Sequence, residues 1–540
     1  MKMKKQIKLL SSALAIIMGI SLLAGCGNTQ KTSNNNPTTN AGPEKPITID
    51  WMPQNDQPVN SESPVIKELE KLLNVKINFV YMDRNKEVEL LNIRVASGEI
   101  PDVMRMMADR FGAYIKQGVL SEIPEDQLKK TAPKLYEMTL KNSGDTKIWE
   151  YAKEGGKLYG LPNINLNGSY GYVPVWRNDW LSNVGIDKMP ETLKDAEEAF
   201  RKFANNDPDK NGKKDTYAMS DRGFSAIFGA YGVIPYNTAD GSFYWALKDG
   251  KVTAAAILPE MKEALALLNK WYKEGLVDPE FITGENKGQN KYNMVALWNG
   301  KIGFSCPGLF YHVNLPMFEG DAGSTNYQNF KKLQGEKATY DLGKPLAGPN
   351  GKGVTEKWGT FNGQFTVLGR NVAKDPKKLQ KILEIQEKVA SDPQVYTLTM
   401  YGIKGVTYDM KKAGNSEVMS YIGDYSDSAN KAKMGLDTNG LGYMLGNNFD
   451  LLKASNPVRY TYADKVSPSS TFANVVWAGL PSSPQFKAGI DKKVKEAYIL
   501  FITGERKLEE FDKFVDELNK AGLEQLTKEA NEWYKTFEKK

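Results

Sequence analysis

Hydrophobic and polar positions divide this chain into stretches of different period. Residues 9–23 form a short apolar run, interrupted by serines and led by Lys2, Lys4, Lys5 and Lys8. Residues 27–46 are rich in Asn, Thr, Gly and Pro, with no apolar periodicity, which predicts a flexible tether. Alternation then begins at Ile47-Thr48-Ile49-Asp50-Trp51, as in a strand. Ser63-Pro64 supplies an N-cap and a first-turn proline to a helix with Val65, Ile66, Leu69, Leu72 and Leu73 on one face. Val75, Ile77, Phe79 and Tyr81 alternate again, and a helix over 86–97 stops at Gly98 before the apolar pair Val103-Met104. Strand, helix, strand, helix, strand predicts an α/β fold with a parallel sheet. Ligands of such sheets sit beyond the carboxyl ends of the strands, which makes Gln54, Asn55, Asp109 and Arg110 candidate site residues.

Further along, Thr192 caps a helix that buries Ala196, Ala199, Phe200 and Phe203. Residues 259–274 carry Met261, Ala264, Leu265, Leu268 and Trp271 at helical spacing, and Asp375-Pro376 opens another helix. Amphipathic helices around Phe511, Phe514 and Leu518 close the chain. At 540 residues the chain fits two or three domains, with two lobes as the simplest expectation. With 71 basic and 65 acidic residues, part of the excess lying at the N-terminus, charge is near balance, which argues against nucleic-acid binding.

The positive start, apolar core and small residues before Cys26 make a secretory signal rather than a membrane span, which needs about 20 apolar residues. Leu23-Ala24-Gly25-Cys26 resembles the lipobox of bacterial lipoproteins, which implies a mature chain lipidated at Cys26 and held at a membrane by its acyl chains. Cys306 is then left without an intramolecular partner and is expected to be a small buried residue. His312 is the single histidine, which excludes sites with several His metal ligands.

Residues 207–216 read Asp207-Pro-Asp209-Lys-Asn211-Gly212-Lys213-Lys-Asp215-Thr216. Oxygen side chains at positions 1, 3, 5 and 9 with Gly at 6 reproduce most of an EF-hand-like loop, with Lys213 offering its carbonyl. Ala218 stands where the bidentate Glu would be, so a structural Ca²⁺ here would take one ligand from water or a distant residue. A similar loop occurs in alginate-binding and related large oligosaccharide-binding proteins.

Pro101-Asp102-Val103-Met104, Asp109-Arg110-Phe111-Gly112 and Gln117-Gly118-Val119-Leu120 resemble the maltodextrin-binding proteins of ABC importers, as does Ala96-Ser97-Gly98-Glu99 the large extracellular solute-binding family that contains them. Lys157-Leu158-Tyr159-Gly160-Leu161-Pro162 and Val175-Trp176-Arg177-Asn178-Asp179-Trp180-Leu181 are similar to the family's hinge crossing. The resemblance implies a two-lobed periplasmic-binding-protein-like (type II) α/β fold with an interlobe cleft. It implies sugar contacts for Asp109 and Arg110, and a stacking aromatic near residues 294–310. Phe310 lies nearest that position, with Tyr311 and Trp298 as alternatives, and Trp477 and Phe486 are further cleft candidates. Trp176 and Trp180 read as core.

The expected layout is a signal peptide over 1–25, a tether over 26–46, a first lobe from 47–165 and 361–410, and a second lobe from 166–360 and 411–540. The implied function is a lipid-anchored extracellular binder that hands an oligosaccharide to an ABC permease, with a monomer expected. A long tether on a lipid anchor suits a Gram-positive cell, which has no outer membrane to confine a free binder. Two other classes stay open. A secreted polysaccharide hydrolase or lyase would need paired carboxylates, and none stands out; a peptide-binding or sensory lipoprotein would pass its liganded form to a receptor.

Overall fold

The computed structural model describes residues 46–53, 57–83, 86–238, 241–282, 294–309, 313, 315–351 and 353–539. The leader, Cys26 and the tether lie outside them, as do Gln54, Asn55, Phe310, Tyr311 and His312. No helix among the described residues is long and apolar enough to cross a membrane.

The first lobe is built on a five-stranded sheet in the order Val75–Phe79, Ile47–Trp51, Val103–Met107, Phe361–Leu368, Gly160–Ile164. The three strands that open the chain run parallel, as the alternation of strands and helices requires. Strand Phe361–Leu368 is antiparallel to both of its neighbours. The sheet is therefore mixed, because its last two strands are segments on which the chain leaves and re-enters the lobe rather than βαβ repeats. Helix Pro64–Leu73 begins where Ser63 accepts the Ile66 N–H and ends at Asn74 in a left-handed conformation. It buries Val65, Ile66, Leu69 and Leu73 against the sheet. Helix Glu87–Ser97 closes at Gly98, whose φ of 82° disfavours a side chain.

The second lobe has a four-stranded sheet in the order Asp341–Leu342, Val175–Trp176, Ile302–Ser305, Tyr217–Met219. An aromatic cluster anchors it. The Trp176 ring lies 4.4 Å from Phe304 and 5.4 Å from Phe200, which meets Trp271 edge-on at 5.3 Å. Trp176 and Trp180 are fully buried, as expected of core residues. Cys306 is buried there too, and burial pushes its thiol up to about 12, so it is inert. A smaller cluster formed by Val173, Leu297, Phe330, Tyr340 and Tyr460 extends the lobe.

The chain leaves the first lobe after strand Gly160–Ile164 and returns with Phe361–Leu368. The next departure, expected at 411, comes later. Leu436, Leu441, Tyr443, Met444 and Leu445 still pack into the first-lobe core, because the 408–421 hairpin folds out from that lobe before the chain rejoins it. C-terminal helix Glu524–Lys539 belongs to the second-lobe core through Leu526 and Ala530. It also reaches the first lobe, where the Tyr151 ring lies 4.5 Å from Phe537 and Lys147 Nζ donates to the Phe537 carbonyl at 2.6 Å.

Where the crossings pass one another, backbones nearly touch. A Cβ placed on Gly168 would lie 2.1 Å from the Gly359 carbonyl oxygen, backbone that has no rotamer with which to escape. Gly168→Ala should therefore destabilise the protein by about 1–3 kcal/mol in a denaturant melt, the usual cost of overpacking. An unchanged midpoint would show that the crossings are looser than this contact implies.

Candidate functional site

Two cavities lie along the crossing strands, and both are floored by Asn165, Asn362 and Gln364. Strand Phe361–Leu368 explains the floor. Its alternation puts Phe361, Phe365 and Val367 into the first-lobe core and turns Asn362 and Gln364 the other way. Gln364 is fixed by Arg105, whose Nε donates to its Oε1 at 2.9 Å. The floor is thus a row of amides, groups that can both donate to and accept from a hydroxyl-rich ligand.

The first chamber encloses about 720 Å³. The first lobe contributes Met107, Ala108 and Asp109, where strand Val103–Met107 runs directly into helix Ala108–Lys116. The second lobe contributes Trp245, Trp358, Asn474 and Lys487, and Trp477 enters beside the second-lobe residue Val476 while its own ring packs against the first-lobe core. Trp358 and Trp477 are half-buried and so present ring surface to the chamber. Asn474 accepts the Trp245 N–H at 2.8 Å and donates to the Val476 carbonyl at 2.7 Å, holding the Trp477 segment in place. Lys487 pairs with Asp491 at 2.8 Å above the Phe243 ring.

The second chamber, about 640 Å³, lies on the other side of the amide floor. Its walls include Arg105, Tyr401, Tyr421, Lys431, Asp437, Arg459 and Tyr460. Lys431 sits 4.7 Å over the Tyr421 ring, and Tyr460 donates to Asn167 at 3.2 Å. Burial pushes the Asp437 carboxyl up, opposed by the Thr438 N–H and the Lys431 charge.

The expected site residues divide. Asp109 lines the first chamber, and Arg110, paired with it at 3.3 Å, stands outside the lining. Trp477 lines the same chamber. Trp298 does not reach the cleft, because it ends a short helix, Val295–Trp298, that packs on the smaller second-lobe cluster. Phe486 does not reach it either. Its ring fills the space beside Gly522, where a Cβ would lie 2.4 Å from the ring, between two C-terminal helices. Gln54, Asn55, Phe310 and Tyr311 are outside the described residues. Trp358, Asn362 and Gln364 were not anticipated, although the polar alternation of Asn362 and Gln364 in an otherwise apolar strand is the signal that marks them.

The 207–215 loop is folded on itself. The Asp207 carboxylate accepts the Asn211 and Gly212 N–H groups at 3.0 and 2.9 Å, and Asn211 Nδ2 donates to Asp209 at 2.8 Å and Asp215 at 3.2 Å. Asp207 and Lys210 have φ of 45° and 57°, and Gly212 has 77°. Asp209 Oδ1 is buried with no hydrogen-bond partner, and burial together with the neighbouring Asp207 pushes its carboxyl up. Among the described residues no three His, Cys, Asp or Glu side chains form a ready-made metal cage, since the Asn211 amide stands between the carboxylates. Thr216 turns inward to the Phe203 carbonyl at 2.8 Å and offers the loop no ligand.

Behind the first chamber lies a fully buried acid, Glu356. Thr238 and Tyr244 hydroxyls donate to it at 2.7 and 2.9 Å, and Arg222 reaches the same Thr238 oxygen at 2.8 Å. Burial wins over these partners and raises the carboxyl to about 7. The unfolded chain releases this proton near pH 4.5, so the folded form holds it over a range where the unfolded form does not. Its contribution is full below about pH 4.5 and lost as pH rises through about 7. Glu356→Gln, measured by thermal melts from pH 4.5 to 8, should flatten the decline in stability with pH. An unaltered slope would mean that Glu356 is ionised in the folded protein throughout.

Residues 65–309 match the family model described as bacterial extracellular solute-binding protein. The whole chain is similar to the lipoprotein LipO of Bacillus subtilis, at 25% identity over 98% of this chain and 99% of that one. It is equally similar, at 25% identity over 98% of each chain, to the polygalacturonan/rhamnogalacturonan-binding protein YtcQ of the same organism. Among solved structures, the substrate-binding protein FusA of Streptococcus pneumoniae in complex with kestose superposes with a TM-score of 0.64 at 18% identity, covering 91% of this chain and 99% of that one. The resemblance to extracellular solute-binding proteins and their two-lobed fold is thereby borne out.

Proposed function

We propose that this protein is the solute-binding component of an ABC importer, anchored by lipid on the outer face of the cell membrane, and that it captures an oligosaccharide in the interlobe cleft. The observation that carries this reading is the chamber floored by Asn165, Asn362 and Gln364 and walled by Trp358 and Trp477. Sugar rings offer C–H faces to aromatic planes and hydroxyls to amides, and this chamber supplies both. Asp109 adds an acceptor for a hydroxyl pair from the first lobe. Because the walls come from both lobes, a bound sugar favours the closed arrangement, and the crossing strands form the hinge. The similarity to YtcQ and FusA, a polysaccharide-binding protein and a kestose-bound transport protein, supports a sugar cargo and a binding rather than catalytic role. The lipid anchor rests on the Cys26 motif and on the similarity to a lipoprotein.

Thermal melts of the chain from residue 27 against a panel of oligosaccharides test this. A cargo at 100 times its dissociation constant adds about 2.7 kcal/mol of stability and raises the melting temperature visibly. Trp477→Ala and Trp358→Ala should each weaken that cargo about tenfold, roughly 1.4 kcal/mol, as a smaller ligand-induced shift measured from each variant's own unliganded melt. No shift with any sugar, or a shift with cleavage, would overturn the reading.

The 207–215 loop fits a hard cation. Its carboxylates crowd one another, and the unpartnered buried Asp209 oxygen is a ligand without a donor. Asp207, Asp209, Asn211, Asp215 and the Lys213 carbonyl would hold Ca²⁺, which supplies the positive charge that this cluster lacks. The role is structural, because none of these residues lines either chamber. EDTA should lower the melting temperature and excess Ca²⁺ restore it, and Asp209→Asn should abolish the response. A melt indifferent to both would remove calcium from the account.

A further inference from the structure

The second chamber is lined by two opposite charges that do not meet, Asp437 and Lys431. Burial pushes the Asp437 carboxyl up, and the Thr438 N–H and the Lys431 charge hold it down, so the lysine lies near enough to act on it. Yet among the described residues the two form no ion pair, and neither is hydrogen-bonded to another side chain. Lys431 rests 4.7 Å over the Tyr421 ring instead. Arg105, in the same lining, is by contrast committed, with Nε on the Gln364 oxygen at 2.9 Å and Nη2 beside the Met107 sulfur at 3.9 Å.

The chain builds this separation locally. Helix Ser428–Met434 carries Lys431 and stops at Gly435, which is left-handed with φ of 73°. A Cβ on Gly435 would lie 2.6 Å from Ile66 Cδ1, so the turn is seated against helix Pro64–Leu73 of the first lobe. Leu436 is fully buried in the first-lobe core. Asp437 follows with φ of 58°, a conformation that aspartate tolerates better than most residues with a side chain. Gly442 then folds back so closely that a Cβ on it would lie 2.2 Å from the Asp437 carbonyl oxygen. A loop closed this tightly leaves the Asp437 backbone no room to shift toward Lys431.

Opposite charges held apart in a recess present an acceptor and a donor that do not satisfy one another. Neighbouring sugar hydroxyls suit both, because one O–H donates to the carboxylate while the next oxygen accepts from the ammonium. Hydrogen bonds to charged groups are roughly twice as strong as those between neutral ones. A carboxylate on the ligand would be repelled by Asp437 and an ammonium by Lys431, which favours an uncharged residue. Tyr443 and Leu445 of this chamber belong to the first-lobe core, and Leu452 and Tyr460 to the smaller second-lobe cluster, so a ligand here also touches both lobes.

We propose that the second chamber is a subsite for one uncharged sugar residue, with Asp437 accepting from one hydroxyl and Lys431 donating to the next, while the remainder of the same oligosaccharide crosses the amide floor into the first chamber. This rests on the sugar-binding reading above and adds a length requirement to it, since only a cargo that reaches both chambers meets the pair.

Isothermal titration of the chain from residue 27 tests the subsite. The probes are fructo-, galacto-, xylo- and galacturono-oligosaccharides, each graded from the disaccharide to the hexasaccharide. In the series that binds, affinity should rise about tenfold at the length that first reaches Asp437 and Lys431, the value of a hydrogen bond to a charged group. Asp437→Asn and Lys431→Met should each remove most of that step while leaving shorter members within about twofold, and the double variant should lose less than the product of the two single losses, because both groups hold one residue. Asparagine tolerates the left-handed backbone at 437, and thermal melts of the unliganded variants separate loss of the subsite from loss of fold. Variants that weaken short and long members alike, or weaken neither, overturn the subsite and leave the sugar-binding reading standing. Binding confined to the galacturonate series does the same. Binding of no sugar at all overturns both.

Discussion

Everything functional in this structure depends on one backbone constraint, the close passage of the segments that cross between lobes. Strand Phe361–Leu368 is wedged antiparallel between Val103–Met107 and Gly160–Ile164, so one side of it closes the first-lobe core and the other is left facing the second lobe. The approach of Gly168 to Gly359 keeps the crossings in contact and leaves no room for a side chain at that point. A cleft with a polar floor follows directly. Residues of the strand that point to the core are apolar, and those that point out, Asn362 and Gln364, become the floor on which ligand rests.

The walls are held by hydrogen bonds among their own residues and to a buried acid behind them. Asn474 pins the Trp245 and Val476 backbones, and Glu356 ties Tyr244 and Thr238 to the strand that precedes Trp358. Such buried bonds make the aromatic walls stiff before a ligand arrives, which reduces the ordering cost of binding. The C-terminal helix adds another restraint. It is rooted in the second-lobe core, yet its last turns contact Tyr151 and Lys147 of the first lobe, so any change in lobe angle must shift or slide this contact.

Much of this was legible in the residues. The opening strands and helices followed from local periodicity, and Ser63, Thr192 and Asp375 cap helices where their positions relative to apolar stripes demanded. Asp109 and Trp477, both picked out in the sequence, line the first chamber. What could not be read depended on contacts between residues far apart in the chain. Trp298 and Phe486 look no different from Trp358 and Trp477 in sequence, and only the packing around them decides which rings face the cleft. The late departure from the first lobe, after Leu445 rather than at 411, escaped because the hairpin between them has no apolar face that betrays its host. Among the residues that wall the second chamber, Arg105 lies more than three hundred residues before Lys431 and Arg459, and the three form no motif.

The central claim is that one ligand is held by both lobes across a shared floor. Hydrogen–deuterium exchange with and without a saturating oligosaccharide measures this directly. Protection should rise together in the first-lobe segment around residues 105–109, the floor around 362–364 and the second-lobe segment around 474–477. Protection confined to one lobe, or absent from the floor, would contradict it.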